Sequence, residues 1–174
     1  MAVGFMKALD CEGRSELHYA AAEGDLEAVK RLVTGGCDVN LQDKSGWTPL
    51  HFAAQARSES VTRYLIGRGA IVDAVDSNGN TPLLKATFES RGDGAVIRAL
   101  LEAGADREKE NYSGVSAIAL ARTITNYDVA KFFLIFREDE EASPWVALIS
   151  RLLSWVYAFL TAFSASAPML HVLR

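Results

Sequence analysis

Two short phrases recur along this chain at one spacing, and no other feature constrains its fold as tightly. The first phrase reads Gly13-Arg-Ser-Glu-Leu-His18, Gly46-Trp-Thr-Pro-Leu-His51, Gly79-Asn-Thr-Pro-Leu-Leu84 and Gly114-Val-Ser-Ala-Ile-Ala119, at intervals of 33, 33 and 35 residues. The second reads Gly36-Cys-Asp-Val-Asn40, Gly69-Ala-Ile-Val-Asp73 and Gly104-Ala-Asp-Arg-Glu108, in register with the first. Such a period marks stacked units, each too small to bury its apolar face without a neighbour.

Each piece of the phrase has a physical task. Thr48 is suited to cap a helix and Pro49 to sit at its first position, where a missing N–H costs nothing. Leu50, Ala53 and Ala54 follow at helical spacing, and the alanines allow neighbours to approach closely. Val61, Tyr64, Leu65 and Ile66 form the apolar stripe of a second helix, as Val29, Leu32 and Val33 do one unit earlier. Gly69 ends that helix in the left-handed conformation. The polar run from Asp73 to Asn80 then carries the chain into a hairpin-like tip and back.

This pattern resembles the ankyrin repeat, whose signature places Thr-Pro-Leu-His-x-Ala near a 33-residue period. The resemblance covers Asp10 to Leu134 and implies an all-α solenoid of stacked helix pairs with hairpin-like tips. Four repeats are predicted, at about 10–42, 43–75, 76–110 and 111–136, within a repeat domain spanning residues 1–136. The end repeats diverge as caps should: Glu16 replaces the proline of the first, and Ala117, Ala119 and Arg122 alter the fourth. The third repeat has two extra residues within Phe88-Glu-Ser-Arg-Gly-Asp-Gly94, predicted to form an exposed, flexible loop.

Composition narrows the function. The net charge is −4, with 18 basic residues scattered among 22 acidic ones, which argues against a nucleic-acid partner. Cys11 and Cys37 are expected to be reduced thiols, with Cys37 in the small, largely buried position that alanine fills in the other repeats. The first ten residues lack the pattern of a signal peptide, so a cytoplasmic location is expected. There is no Gly-x-Ser-x-Gly, no phosphate-binding glycine loop and no His-Glu-x-x-His. No enzyme activity, cofactor or metal is predicted. The resemblance gives His18 and His51 a structural role, hydrogen bonding to neighbouring loops, and Leu84 breaks any row of ligands.

The resemblance implies a partner protein held across the tips and the concave face of the first helices. Tip positions carried over are Gln42, Lys44, Trp47, Val75, Ser77, Asn80, Glu110, Tyr112 and Val115. Helix positions are Tyr19, Ala22, Glu23, Phe52, Gln55, Ala56, Lys85, Phe88, Glu89, Thr123 and Ile124. The candidate contacts chosen from these are Tyr19, Gln42, Lys44, Trp47, Phe52, Gln55, Ser77, Asn80, Lys85, Phe88, Glu89 and Tyr112. Aromatic rings stand out because they are enriched in interface hot spots. Phe52 has the alternative of packing between repeats, whereas Trp47 and Tyr112 sit at tips, where burial needs a partner.

After the repeats, residues 137–144 read as an acidic linker and 145–174 as an apolar C-terminal helix. Leu152 to Leu170 carries no charge, and its 19 residues would span roughly 28 Å as a helix, near the thickness of a hydrocarbon core. Trp145, Trp155 and Tyr157 are suited to a membrane interface. Ser154, Thr161, Ser164, Ser166 and Pro168 weaken that reading, and the small-residue stripe Ala147, Ser154, Ala158, Thr161 and Ala165 serves close helix packing anywhere. Membrane attachment through 145–170, docking on the last repeat, and an extension without fixed structure all stay open. Two roles follow for the protein: an adaptor or scaffold, or a dedicated inhibitor such as an immunity protein that blocks a toxin or enzyme.

Overall fold

A computed structural model describes residues 9–124 and 128–134. Eight helices occur among them: α1 (Glu16–Glu23), α2 (Leu26–Thr34), α3 (Pro49–Gln55), α4 (Glu59–Gly67), α5 (Pro82–Glu89), α6 (Ala95–Glu102), α7 (Ala117–Thr123) and α8 (Lys131–Leu134). They alternate as first and second members of pairs, with α1 against α2, α3 against α4 and α5 against α6. The odd-numbered helices stack on one another in one layer, α1 on α3, α3 on α5 and α5 on α7, while α2, α4, α6 and α8 form a second layer behind them. The predicted linker at 137–144 and apolar helix at 145–174 lie outside the described residues. Among the described residues, no helix is long and apolar enough to cross a membrane.

The core lies between the layers and repeats with the phrase. Leu17, Leu50 and Leu83 are fully buried, as are Val29, Val61, Leu65, Ile97 and Leu100. Burying each such side chain contributes about 1.5–3 kcal/mol. Ala20, Ala21, Ala53, Ala54 and Ala86 are buried between successive first helices, where a larger side chain would hold the layers apart. Cys37 is only half-buried, unlike its alanine counterparts Ala70 and Ala105, so the predicted burial of its thiol is partial.

Helix starts follow the cap chemistry of each phrase. Thr81 and Ser116 accept the N–H groups of Leu84 and Ala119 through their hydroxyls. At Ser15 and Thr48 a histidine closes the box instead: the Ser15 and Thr48 N–H groups donate to Nδ1 of His18 and His51 at 3.0 and 3.2 Å. Asp25 caps α2 by accepting the N–H of Ala28 at 3.0 Å.

Each tip is organised by one side chain that hydrophobic patterning does not reveal. Asp10, Asp43, Asp76 and Asn111 recur at the repeat spacing, and each uses one oxygen to accept the N–H groups two and four residues on. Backbone bonds then join tip to tip. Lys44 N–H donates to Glu12 at 2.9 Å, Ser77 N–H to Ser45 at 2.9 Å and Tyr112 N–H to Asn78 at 3.0 Å. Gly79 has φ +79°, and a Cβ there would stand 2.9 Å from the Tyr112 nitrogen, so this junction closes only around glycine.

The segment from Phe88 to Gly94 departs from the predicted loop. Ser90 and Gly94 are buried, while Phe88, Arg91 and Asp93 are exposed. Gly94 packs under the Phe132 ring, whose carbons would lie 2.4–2.5 Å from an added Cβ. The glycine is there to admit a ring from α8.

Candidate functional site

The first helices and the tips enclose a groove of about 550 Å³. Its apolar lining comes from Trp47, Leu84, Phe88, Val115 and Leu120, and its polar lining from Gln55, Asn80, Lys85, Glu89, Asn111 and Ser113. Lys85, Phe88 and Glu89 project from α5 at three- and four-residue spacing, so one helix face presents a cation, an aromatic ring and a carboxylate together. Phe88 is the conspicuous member: its side chain is 68% exposed.

The floor of the groove is a polar ladder. The Asn111 amide donates to Asn80 Oδ1 at 2.8 Å, and the Asn80 amide donates to both oxygens of buried Asp76 at 3.1 and 2.9 Å. Burial alone would raise the Asp76 carboxyl, but the Asn80 side chain and N–H, the Asn78 N–H and Lys85 outweigh it and hold the group below the usual carboxylate range. Lys85 Nζ lies 3.6 Å from Asp76 Oδ2 and 4.6 Å above the Trp47 ring. The Trp47 ring is half-buried against Phe52, with centroids 5.0 Å apart, and against His51 at 5.9 Å. The expectation that Trp47 needs a partner to be buried is therefore corrected: His51 and Phe52 of its own repeat and Lys85 of the next cover much of it.

The twelve candidate residues divide into three places. Trp47, Gln55, Asn80, Lys85, Phe88 and Glu89 line the groove. Tyr19 and Phe52 belong to a cluster at the first repeat, where the Tyr19 hydroxyl donates to Asp10 and the Arg14 guanidinium stacks over Phe52 at 5.3 Å. That Arg14 also donates to buried Asp43 at 3.0 Å, and Phe52 meets His18 edge-on at 5.6 Å, so Phe52 does pack between repeats. Gln42, Lys44, Ser77 and Tyr112 lie along the tips. Gln42 donates to the Gly46 and Val75 carbonyls, while the Tyr112 ring is 77% exposed.

Leu84, Asn111, Ser113 and Leu120 line the groove without having been singled out as contacts. Leu84 carried a signal, because it stands where the first two repeats have His18 and His51. An apolar side chain in place of the bridging imidazole turns that wall of the groove hydrophobic.

A family model for ankyrin repeats matches residues 17–111 as three copies. The chain belongs to the ankyrin-repeat family. Helices α7 and α8 lie beyond the matched span. The chain is 28% identical to an L-asparaginase of Dirofilaria immitis over 140 residues, which is 80% of this chain and 23% of that protein. Over 37 residues it is 43% identical to Notch-regulated ankyrin repeat-containing protein A of Danio rerio and to the Homo sapiens protein of that description, 21% of this chain in both cases and 33% and 32% of theirs. It thus spans about a quarter to a third of the length of these curated relatives. Ankyrin repeats generally mediate protein–protein interaction, and the groove described above lies across the tips and first helices of consecutive repeats.

Proposed function

We propose that this ankyrin-repeat chain is a non-catalytic adaptor that holds a partner protein in the groove between Trp47 and Leu120. The observation that carries the reading is Phe88, a ring 68% exposed on the groove wall beside Leu84 and Lys85. An aromatic side chain that the fold leaves in water, next to apolar walls and amide hydrogen-bonding groups, is the composition of an interface anchor. Trp47, Gln55, Asn80, Lys85 and Glu89 would surround the anchor, and Tyr112 would extend the contact along the tips. The likeness to L-asparaginase covers less than a quarter of that protein, so its name carries no reaction to this chain.

The test is affinity capture with the unaltered chain, followed by titration of the captured protein. Phe88→Ala should weaken binding about tenfold or more, and Tyr112→Ala should weaken it as well. Ile71→Ala, exposed just after α4 and outside the groove, should leave binding unchanged. A partner bound equally well by Phe88→Ala and the parent uses another face.

A further inference from the structure

We infer that the groove selects a partner segment in which one acidic side chain lies beside one large apolar side chain, the carboxylate seated on Lys85 and the apolar group on Phe88. This rests on the groove being the binding face. It names the chemistry of what binds there.

Lys85 has three N–H donors and no ordinary hydrogen bond among the described residues. Its ion pair with Asp76 Oδ2 is long, at 3.6 Å. Asp76 has little to offer it, because Oδ1 already accepts the Asn78 N–H at 2.8 Å, the Asn80 N–H at 2.9 Å and the Asn80 amide at 3.1 Å, and Oδ2 accepts the Asn80 amide at 2.9 Å, which leaves one Oδ2 lone pair for three ammonium donors. The ammonium is held over the Trp47 ring with its side chain 24% exposed, so it is partly stripped of water, and Lys85 lines the groove. A carboxylate arriving there would meet a preplaced cation where solvent screening is reduced, and charge-assisted bonds of this kind are shorter and stronger than neutral ones.

Phe88 fixes the second requirement. It stands three residues from Lys85 on α5, which puts the two side chains about 5–6 Å apart on one helix face. Two side chains on one face of an extended segment lie about 7 Å apart, and two at three- or four-residue spacing on a helix lie closer, so one short segment reaches both. Glu89 sets a limit. It lies one turn from Lys85 on the same wall and repels a second acidic group, and the chain's net charge of −4 disfavours a run of them. The selectivity is therefore for a single carboxylate beside an apolar anchor.

The experiment pans a random dodecapeptide display library on the full chain and measures the selected sequences as synthetic peptides by fluorescence polarisation. Enriched peptides should carry Asp or Glu within four residues of Phe, Leu, Ile, Met or Trp. Changing that Glu to Gln should weaken binding to the unaltered chain about tenfold, and adding salt should weaken it further. Lys85→Met, which keeps the aliphatic stem, should bind the Glu and Gln peptides alike, and Phe88→Ala should weaken both. Selected peptides without an acidic residue, or with Glu and Gln equivalent, overturn the inference. If those peptides still lose affinity on Phe88→Ala, the groove remains the binding face. If they are indifferent to Lys85→Met and Phe88→Ala, that reading falls too. Failure to select any binder also counts against the inference.

Discussion

The Nε2–H of His51 donates to the carbonyl oxygen of Asn80 at 3.0 Å, tying the first helix of one repeat to the tip of the next. Its Nδ1 accepts the Thr48 N–H and lies 2.9 Å from the Thr48 hydroxyl. His18 has the same Nδ1 contacts with Ser15 one repeat earlier, but its Nε2 reaches the Leu41 carbonyl at 3.0 Å, just before the next tip. An N–H aimed at Nδ1 requires a lone pair there, so both rings are neutral Nε2–H tautomers.

The first prediction is a loss of stability in mild acid. Burial is the leading cause that holds the His51 and His18 imidazoles below their ordinary value. The unfolded chain then binds protons more readily than the folded one below about pH 6.5, so stability is complete above that pH and declines as pH falls toward the folded-state values. This window lies above the range in which the carboxylates titrate. Urea melts at about pH 7.5 and about pH 5.5 should show a lower midpoint at the acid end. An unchanged midpoint, or an imidazole NMR titration of His51 at its ordinary value, would contradict the neutral rings.

A second expectation concerns the stacked leucines. Leu50 and Leu83 are fully buried at matching positions of successive repeats. Leu→Ala at either should cost roughly 2–5 kcal/mol in denaturant melts, the sum of lost transfer energy and the cavity left behind. Values below about 1 kcal/mol at both would mean that the layers close over the gap, against the tight packing described.

Gly94→Ala tests the contact with α8. The new methyl group would fall 2.4–2.5 Å from ring carbons of Phe132, and a ring held in the core cannot swing aside as a flexible chain end does. Overpacking of this kind costs about 1–3 kcal/mol. The same substitution in a Phe132→Leu background should cost clearly less, and a double-mutant cycle reads that coupling. Equal costs in both backgrounds would place the strain elsewhere.

Thr62→Val should leave stability unchanged or raise it by about 1 kcal/mol. Thr62 is fully buried on α4, and its Oγ1 makes no hydrogen bond among the described residues. Valine has the same shape without the desolvated hydroxyl. A loss of more than about 1 kcal/mol in thermal or denaturant melts would reveal a partner for that oxygen.

Most of the fold was legible because it is periodic. Thr48, Pro49 and Leu50 state in consecutive residues where a helix starts and which side chain it buries, and Thr81, Pro82 and Leu83 state it again one repeat on. The site was legible only in part. Phe88, Lys85 and Glu89 follow from helix spacing, and they do share one wall of the groove. The Lys85 ammonium over the Trp47 ring, the lining roles of Asn111 and Leu120 and the role of Gly94 arise between residues of different repeats. Helical spacing within one unit does not report the distance to the next.

The amino-acid sequence by itself determined the family, the stacked helix pairs and the tips, because caps, apolar stripes and glycine stops act over a few residues and repeat at one period. Only the tertiary structure decided which polar side chains are committed to the fold and which remain to meet a partner. Asp76 and Lys85 look alike in sequence, as charged residues on either side of one tip and helix. Stacking buries Asp76 under three N–H groups and leaves Lys85 at the groove with donors unfilled, because hydrogen-bond capacity is allotted by the neighbours that packing brings within reach.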